Sequence, residues 1–421
     1  NRVLLPEYIN DQKQWEDLLK FKIGEFEQLN VHLHQSNSIE SIDPALKMVT
    51  DQFGVSHSYD SLVLATGSRA FVPPDVPIHL PGIFTMRDRR NADELKATVG
   101  EGNHVVVVGG GLLGLELAAA LAEVKIKVSI IQLSSRLMER QLDSLASNLL
   151  RQEIENMGIQ VYTNDQVQSV ERINEQCLEA KLKSGKSLIS HAIVYAIGTR
   201  PNLELGKEAG LACGRGIKVN DYMQTSDPSI YALGEIAEHD GQLNGITAAA
   251  EKHADVLAHY LNGDLSSRFT GCTPMNILKM ADVSLCSIGM AEAPENDPAY
   301  DEILLVDKGL SYYKKCIIHH DKLVGVILMG DKAEFAEFRE LIENGTELLD
   351  KRKSLLRSGS QKEAVLGKLV CSCNNVGEGN IKKAIAGGCS DLPSLCKATG
   401  AGLGCGSCKP EVKNILNLEA I

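Results

Sequence analysis

The feature that most constrains this chain is an apolar run that ends in a group of glycines. Residues 105–108 are all valine and are followed by the pattern Gly-x-Gly-x-x-Gly at Gly109, Gly111 and Gly114, after which the apolar residues continue. Four β-branched residues in succession are typical of a buried parallel strand. In a strand–turn–helix unit of this kind, the glycines allow the tight turn, the approach of a pyrophosphate and the contact between helix and strand. The stretch therefore predicts a dinucleotide-binding unit in the middle of the chain.

The composition narrows the classes of partner and compartment. The chain has 421 residues, of which 43% are hydrophobic and 23% charged, and its net charge is −12. The negative charge argues against nucleic acid or an anionic membrane surface as the main partner, and no apolar run approaches the ~18 residues that span a bilayer. Eleven cysteines, four of them crowded near the C-terminus, favour a metal site in a reducing compartment over disulfides. We therefore expect a cytoplasmic protein.

The residues after the next strand bear on the choice of nicotinamide. About 20 residues past the glycines, NAD-binding domains commonly place an acid that binds the ribose, and Gln132 stands there. Gln132 can still hydrogen-bond a ribose hydroxyl, and it lacks the charge that would repel a 2′-phosphate. Arg136 could pair with such a phosphate or could be solvated. The sequence leaves NADH and NADPH open and favours NADH slightly.

Two other strand ends are candidate ligand positions. The apolar strand at residues 61–65 breaks at Thr66-Gly67, and the strand at 230–233 ends at Gly234-Glu235. Between them, residues 198–202 form the pattern Gly-x-Arg-Pro-Asn. Ligands bind at the carboxyl ends of strands in open α/β sheets, although ordinary core strands with a surface carboxylate would show the same pattern.

The order of these motifs resembles the two-dinucleotide flavoprotein family of pyridine nucleotide-dependent reductases. In that family an Ala-Thr-Gly strand, a Gly-x-Gly-x-x-Gly NAD(P) domain, a Gly-x-Arg-Pro-Asn hinge and a flavin strand ending in Gly-Asp follow one another, as they do here over residues 1 to about 265. The resemblance implies an α/β fold with two Rossmann-like domains, one for FAD at residues 1–90 and 198–265 and one for NAD(P)H at residues 91–197. With Gly109, Gly111, Gly114 and Gln132, it implies these cofactor-binding residues: Arg2, Ile39, Ala65, Thr66, Gly67, Arg87, Gly198, Gly234 and Glu235.

Three features of the sequence bear on that resemblance, two as departures from the family and one as a match. Glu235 stands where the family usually has Asp, which keeps a carboxylate acceptor for a flavin hydroxyl. The chain begins at Asn1 without the family's first strand and glycine turn, so we expect the FAD domain to be truncated at its N-terminus. Glu116, two residues past Gly114, resembles the acid that meets the nicotinamide end in relatives, and it is the catalytic candidate.

The C-terminal part carries a cysteine pattern. Residues 367–421 contain C-x-C and, after thirty-one residues, C-x2-C, formed by Cys371, Cys373, Cys405 and Cys408. A 2Fe–2S cluster takes four thiolates, whereas structural zinc sites more often have C-x2-C at both ends. The spacing therefore favours the cluster and leaves zinc open. The stretch is similar to bacterioferritin-associated ferredoxin-like (BFD-like) 2Fe–2S domains, which implies a small helical domain.

The remaining segments complete the predicted architecture. Residues 266–350 resemble the small α/β C-terminal domain of NADH:rubredoxin reductase-type enzymes, and residues 351–366 are predicted to form a solvated linker. The domain order resembles that of assimilatory nitrite reductase [NAD(P)H] large subunits and of the electron-transfer parts of assimilatory nitrate reductases.

These modules predict an FAD-dependent NAD(P)H oxidoreductase that passes electrons through FAD to a 2Fe–2S cluster for nitrite or nitrate assimilation. The expected partner is a sirohaem nitrite reductase or molybdopterin nitrate reductase domain, on a missing segment or a partner chain, and the sequence is compatible with a homo-oligomer. Two alternatives stay open. One is a non-catalytic binding platform with a four-cysteine zinc site, and the other is an NADH-dependent reductase of another small iron protein.

Overall fold

In a computed structural model of the chain, residues 2–21, 23–356 and 364–419 are described. Part of the predicted linker and the last two residues of the predicted cluster domain lie outside them. Over the described residues there are eleven α-helices: α1 (Leu5–Ile9), α2 (Ile23–Gln28), α3 (Arg89–Thr98), α4 (Leu112–Glu123), α5 (Ser144–Asn156), α6 (Glu204–Glu208), α7 (Thr247–Leu261), α8 (Phe335–Glu343), α9 (Glu378–Ala386), α10 (Leu392–Thr399) and α11 (Lys409–Glu419).

The same described ranges contain twenty-five strands: β1 (Ile39–Asp43), β2 (Met48–Asp51), β3 (Ser56–Ser58), β4 (Leu62–Leu64), β5 (Ser68–Ala70), β6 (Ile83–Thr85), β7 (His104–Val108), β8 (Lys127–Gln132), β9 (Gln160–Thr163), β10 (Val167–Arg172), β11 (Leu178–Leu182), β12 (Ser187–Ser190), β13 (Ala192–Tyr195), β14 (Thr199–Pro201), β15 (Ile217–Val219), β16 (Ile230–Ala232), β17 (Ala237–His239), β18 (Gln242–Leu243), β19 (Met275–Met280), β20 (Val283–Gly289), β21 (Tyr300–Asp307), β22 (Tyr312–His319), β23 (Lys322–Met329), β24 (Leu369–Cys371) and β25 (Val376–Gly377).

The chain divides into two compact units, each assembled from separate segments. The first unit consists of Asn1–Leu18, Ala70–Gly198 and Met275–Ile421, and the second of Leu19–Arg69 and Thr199–Pro274. The domain boundaries drawn above follow motifs rather than contacts, and they stay predictions.

The glycine motif of the first unit follows the carboxyl end of the central strand in a five-stranded parallel sheet. Its strand order is β6-β13-β7-β8-β9, so β7 is central. Val105 and Val107 face a core shared with α4 and α5, while Val106 and Val108 face a core shared with β11. A central strand covered on both faces needs apolar residues throughout, which explains the valine run.

A second sheet in the same unit is antiparallel, with the order β19-β20-β23-β22-β21. Helix α8 covers it through Phe335, Phe338 and Leu341. On the edge strand β19, Leu278 and Met280 belong instead to the core that includes α4. Leu285 of β20, Tyr313 of β22 and Ile327 of β23 belong to the same core, so one face of this sheet packs against the glycine-motif domain.

The cysteine module of the first unit is small and mainly helical. Strands β24 and β25 pair antiparallel, and α9, α10 and α11 close around Ile381, Leu395 and Val412. Ile277 of β19 packs against this core.

The second unit contains the other strand ends singled out in the sequence. Strands β4 and β16 pair in parallel, with Leu64 opposite Ala232, so their carboxyl ends lie side by side. Strands β1, β2 and β3 form an antiparallel sheet, and β15, β17 and β18 form another. Helix α7 contributes Val256 and Leu257 to a separate buried core.

Candidate functional site

The three motif glycines occupy distinct positions between β7 and α4. Gly109 has φ of +115°, and a Cβ there would lie 2.4 Å from the carbonyl oxygen of Ala196. A Cβ at Gly114 would lie 2.0 Å from the carbonyl oxygen of Gly109, whereas a Cβ at Gly111 would have no atom within 4 Å. Gly109 thus serves the turn and Gly114 the close helix contact. The open space at Gly111, the N-cap of α4, fits the approach of a dinucleotide phosphate.

Gln132 braces the glycine turn. Its side chain is buried, Oε1 accepts a hydrogen bond of 2.7 Å from the backbone N–H of Gly110, and Nε2 donates to Ser134 Oγ at 2.7 Å. Both ends of the amide are therefore engaged within the protein, and the ribose contact stays a prediction.

Arg136 is held by a carboxylate from the antiparallel-sheet domain. Its Nη1 and Nη2 atoms each lie 2.8 Å from an oxygen of Glu292, a two-point ion pair. The hydrogen bond and charge of Glu292 raise the pKa of Arg136. The sequence left open whether Arg136 pairs with a 2′-phosphate or is solvated. In the structure it instead forms an ion pair with Glu292.

Glu116 lies buried on the first turns of α4. Its Oε1 accepts a 2.9 Å hydrogen bond from the backbone N–H of Lys279 on β19, and only 8% of the residue is exposed. Burial raises the pKa of Glu116 to about 7, although the charge and backbone of Lys279 act in the opposite direction. A carboxyl group of this kind can hold or release a proton near neutral pH. Its catalytic role stays a prediction.

The Ala-Thr-Gly turn of the second unit is bracketed by Asn202. Thr66 Oγ1 donates to the Asn202 carbonyl at 3.1 Å, and Asn202 Nδ2 donates to the Thr66 carbonyl at 2.9 Å. The backbone N–H of Asn202 also donates to the carbonyl of Gly67 at 2.9 Å. The Gly-x-Arg-Pro-Asn pattern therefore fastens the turn that follows β4. Asn202 belongs to that sequence pattern, but the sequence did not predict it as a site residue.

The turn after β16 is braced by two side chains. Thr199 Oγ1 donates to Glu235 Oε1 at 2.6 Å, and the backbone N–H of Gly234 donates to Nδ1 of His253 at 3.1 Å. His253 is fully buried, and burial lowers its pKa to about 4, which keeps Nδ1 available as an acceptor. The sequence analysis missed His253. The only signal was its place four residues after the buried Ala249 on the apolar side of α7.

The structure brings together some of the predicted FAD residues. Ala65, Thr66 and Gly67 follow β4, and Gly234 and Glu235 follow its neighbour β16, so these five lie at adjacent strand ends of the second unit. Gly234 has φ of +71°, a conformation that favours glycine. The adjacent carboxyl ends of the strand pair and the braced turns fit a flavin nucleotide at this edge.

The remaining FAD candidates lie elsewhere. Ile39 begins β1 in the second unit, in a different sheet. Arg2, Arg87 and Gly198 belong to the first unit, where Gly198 accepts a backbone hydrogen bond of 2.9 Å from Phe71. Their contact with FAD stays a prediction.

The four motif cysteines converge in one group. Cys373 Sγ lies 3.2 Å from Cys405 Sγ, and Cys371 and Cys408 belong to the same buried core, against which Cys405 packs. Cys371, Cys373 and Cys408 are buried. Four neighbouring thiols, three of them buried, fit the all-cysteine ligand set of a 2Fe–2S cluster.

The surroundings of these thiols are closely packed. A Cβ at Gly404 would lie 2.6 Å from Ile277 Cδ1 and 3.0 Å from the Cβ of Cys373. The hydrogen bond with Cys373 and burial raise the pKa of Cys405, while the charge of Lys279 and a hydrogen bond with Ser407 act in the opposite direction. In the described ranges, no three or more His, Cys, Asp and Glu side chains form the shell of a single ion.

Three family models match successive parts of the chain. Residues 1–254 match the pyridine nucleotide-disulphide oxidoreductase model, residues 274–346 the rubredoxin NAD⁺ reductase C-terminal domain, and residues 369–417 the BFD-like [2Fe-2S] binding domain.

The helices within residues 2–21, 23–356 and 364–419 include none with the length and apolar character of a membrane span.

Among curated proteins, the chain is 34% identical over 426 residues to a nitrite reductase [NAD(P)H] of Bacillus subtilis (99% of this chain, 52% of the relative). It is 30% identical to the assimilatory nitrate reductase electron transfer subunit of the same organism (99% and 54%). The chain thus spans about half the length of these relatives. The crystal structure of NADH:rubredoxin oxidoreductase from Clostridium acetobutylicum superposes with a TM-score of 0.66 and 29% identity, covering 82% of this chain and 86% of that one.

Proposed function

The chain belongs to the pyridine nucleotide-disulphide oxidoreductase family, and from this premise we propose that it delivers electrons from NAD(P)H to a nitrite- or nitrate-reducing partner. The matches confirm the predicted α/β fold class, the FAD-dependent NAD(P)H oxidoreductase class and the cofactors FAD, NAD(P)H and 2Fe–2S. The match to a [2Fe-2S] binding domain favours the cluster over zinc. When bound, the nicotinamide supplies a hydride, the flavin converts an electron pair into single electrons, and the cluster carries one electron at a time.

The observation that carries this proposal is the dual packing of β19. Leu278 packs into the core that includes α4 of the glycine-motif domain, and its neighbour Ile277 packs against the core of the cysteine module. The side chains of consecutive residues in a strand point to opposite faces, so one strand lies between the two modules. This arrangement fixes the cysteine group and the glycine turn in one compact unit, as electron transfer between fixed centres requires.

The residues proposed to hold the cofactors follow from the geometry. Gly109, Gly111 and Gly114 would receive the nicotinamide dinucleotide, with Gln132 positioning their turn. The strand ends after β4 and β16 would receive FAD, with Asn202 and His253 as positioning residues. The four cysteines of the C-terminal module would hold the cluster.

We propose NADH as the preferred nicotinamide. A 2′-phosphate is commonly recognised by an arginine near this position, but the guanidinium of Arg136 is already paired with Glu292. The carboxylate of Glu292 would also repel an added phosphate.

We also propose an electron acceptor and a cellular compartment for this protein. The named relatives are nitrite reductases and an electron transfer subunit of a nitrate reductase, so we propose a sirohaem or molybdopterin domain as the acceptor. Four of the eleven cysteines lie in one C-terminal motif, a pattern that favours a metal site over disulfides and supports a reducing compartment such as the cytoplasm.

An anaerobic reduction experiment tests the proposal. The intact protein is purified without oxygen and reduced with NADH, while flavin absorbance and the cluster's paramagnetic signal are followed. We expect flavin bleaching and the appearance of a 2Fe–2S signal, and then electron delivery to the nitrite or nitrate reductase partner. A protein that contains one zinc ion and no flavin would contradict the proposal.

A further inference from the structure

Lys279 of β19 lies where three parts of the first unit meet. Its backbone N–H donates to Glu116 of α4 at 2.9 Å, and its Nζ donates to the carbonyl oxygen of Val3 at 3.2 Å. The N-terminal segment, the glycine-motif domain and the antiparallel sheet all contribute to its surroundings. The sequence analysis gave this lysine no role.

The position of Lys279 on the strand directs it toward the cysteine module. Residues two apart on a strand share a face, and Ile277, two residues earlier, packs against the module core. Ile277 Cδ1 lies 2.6 Å from where a Cβ at Gly404 would be, beside Cys405 in the sequence. The ammonium group of Lys279 is therefore on the side of β19 that borders the cluster ligands.

The charge of Lys279 reaches two of the four sulfurs. Cys405 and Cys373 both interact electrostatically with Lys279. The other charged groups facing Lys279 are the carboxylates of Glu7 and Glu116.

We propose that the positive charge of Lys279 raises the reduction potential of the cluster held by Cys371, Cys373, Cys405 and Cys408. Reduction adds one electron, and hence one negative charge, to a centre that already carries four thiolates. A fixed positive charge in low-dielectric surroundings stabilises the reduced form more than the oxidised form. The inference rests on the proposed cluster site and adds the residue that sets how readily that site accepts an electron.

The test is a redox titration of the intact protein carrying Lys279→Met, with the reduced cluster followed by its paramagnetic signal and with a chemical mediator as the electron source. We expect the ratio of reduced to oxidised cluster at a fixed potential to fall about ten-fold, which is about 59 mV for a one-electron couple. Lys279→Arg should retain the wild-type potential because it keeps the charge. Lys279→Gln, which can still donate to Val3, decides the question if the methionine variant does not fold.

A matched control is Lys314→Met. Lys314 is a fully buried lysine on β22, paired with Glu334 at 2.7 Å, and β22 lies three strands from β19, about 14 Å at roughly 4.8 Å per strand. Its loss should leave the cluster potential unchanged.

Three results would overturn the inference: an unchanged potential in a neutral Lys279 variant that binds the cluster, an equal shift in the Lys314 control, or loss of the cluster from both neutral variants. Because the electrons come from a mediator, these results are independent of NADH. Absence of any cluster from the wild-type protein would instead contradict the proposed function.

Discussion

The glycine turn and the cysteine module differ in what does their chemistry and in where their surroundings originate. The turn acts through its backbone, and its brace, Gln132, comes from the very next strand. The module acts through sulfur atoms, and its surroundings include Ile277 and Lys279 from a strand that ends more than 90 residues before Cys371.

This contrast separates two ways of building a redox site. A site made of backbone depends on space, so any added side-chain atom damages it. A site made of side chains depends on its ligands and on the charges near them, and a change there alters the electron affinity before it alters the fold. The following predictions probe that distinction.

The largest expected effect is on the cysteine module. Cys405→Ser removes one of four thiolate ligands, and we expect nearly complete loss of cluster absorbance with flavin reduction by NADH retained. Cys396→Ser is the matched control, since Cys396 is a buried cysteine of the same module outside the ligand pattern, and it should keep the cluster. Loss of NADH-driven flavin reduction in Cys405→Ser would show that the two regions are not separable.

The glycine turn allows a comparison of two alanine variants. Gly109→Ala places a Cβ 2.4 Å from a carbonyl oxygen at a φ of +115°, so we expect a loss of about 3 kcal/mol of unfolding free energy and weaker NADH binding. Gly111→Ala meets no atom within 4 Å, so its stability should change by less than about 0.5 kcal/mol.

For Gly111→Ala, the KM for NADH should nevertheless rise about ten-fold, because the new methyl group occupies the space proposed for the phosphate. Urea unfolding and steady-state kinetics measure the two effects. An unchanged KM for NADH in Gly111→Ala would show that the phosphate does not bind at this turn.

A smaller effect is expected on nicotinamide preference. Glu292→Gln breaks the two-point pair with Arg136 and frees the guanidinium for a 2′-phosphate, so kcat/KM for NADPH should rise relative to NADH by about five-fold, or about 1 kcal/mol. Glu295→Gln, an equal charge change at an exposed position three residues later, should leave the ratio unchanged.

A further effect, which appears only as the pH falls below neutral, concerns the second unit. The pKa of His253 is about 4 in the folded chain because the ring is buried, against about 6.5 when unfolded. The unfolded chain therefore binds more protons between these values, and stability should fall as the pH drops from about 6.5 toward 4, by at most about 3 kcal/mol.

His253→Asn keeps an acceptor for the N–H of Gly234 and should lose this part of the pH dependence. Urea midpoints of both proteins at pH 7 and pH 5 measure it. Identical pH dependence in the variant would exclude His253 as its source.

What the sequence could predict depends on the same difference between sites built from neighbouring residues and sites built from distant ones. The valine run, the motif glycines and the four cysteines could be recognised because each motif is local and its physical requirement is met by neighbours in the chain. The pair of Arg136 with Glu292 could not, since the two residues are 156 positions apart and neither belongs to a motif. His253 and Lys279 were missed because a lone histidine on a helix and a lone lysine on a strand acquire their roles only through packing.

The bracket that Asn202 forms around Thr66 has a consequence for biosynthesis. The two residues are 136 positions apart, so a ribosome that adds ~5–20 residues per second needs roughly 7–27 s to extend the nascent chain from one to the other. During that interval the Ala-Thr-Gly segment has emerged without its clasp, while the valine strand and its glycine helix are translated in between. Chaperone capture or slowed translation within this window would prolong the time for which this turn lacks its contacts with Asn202.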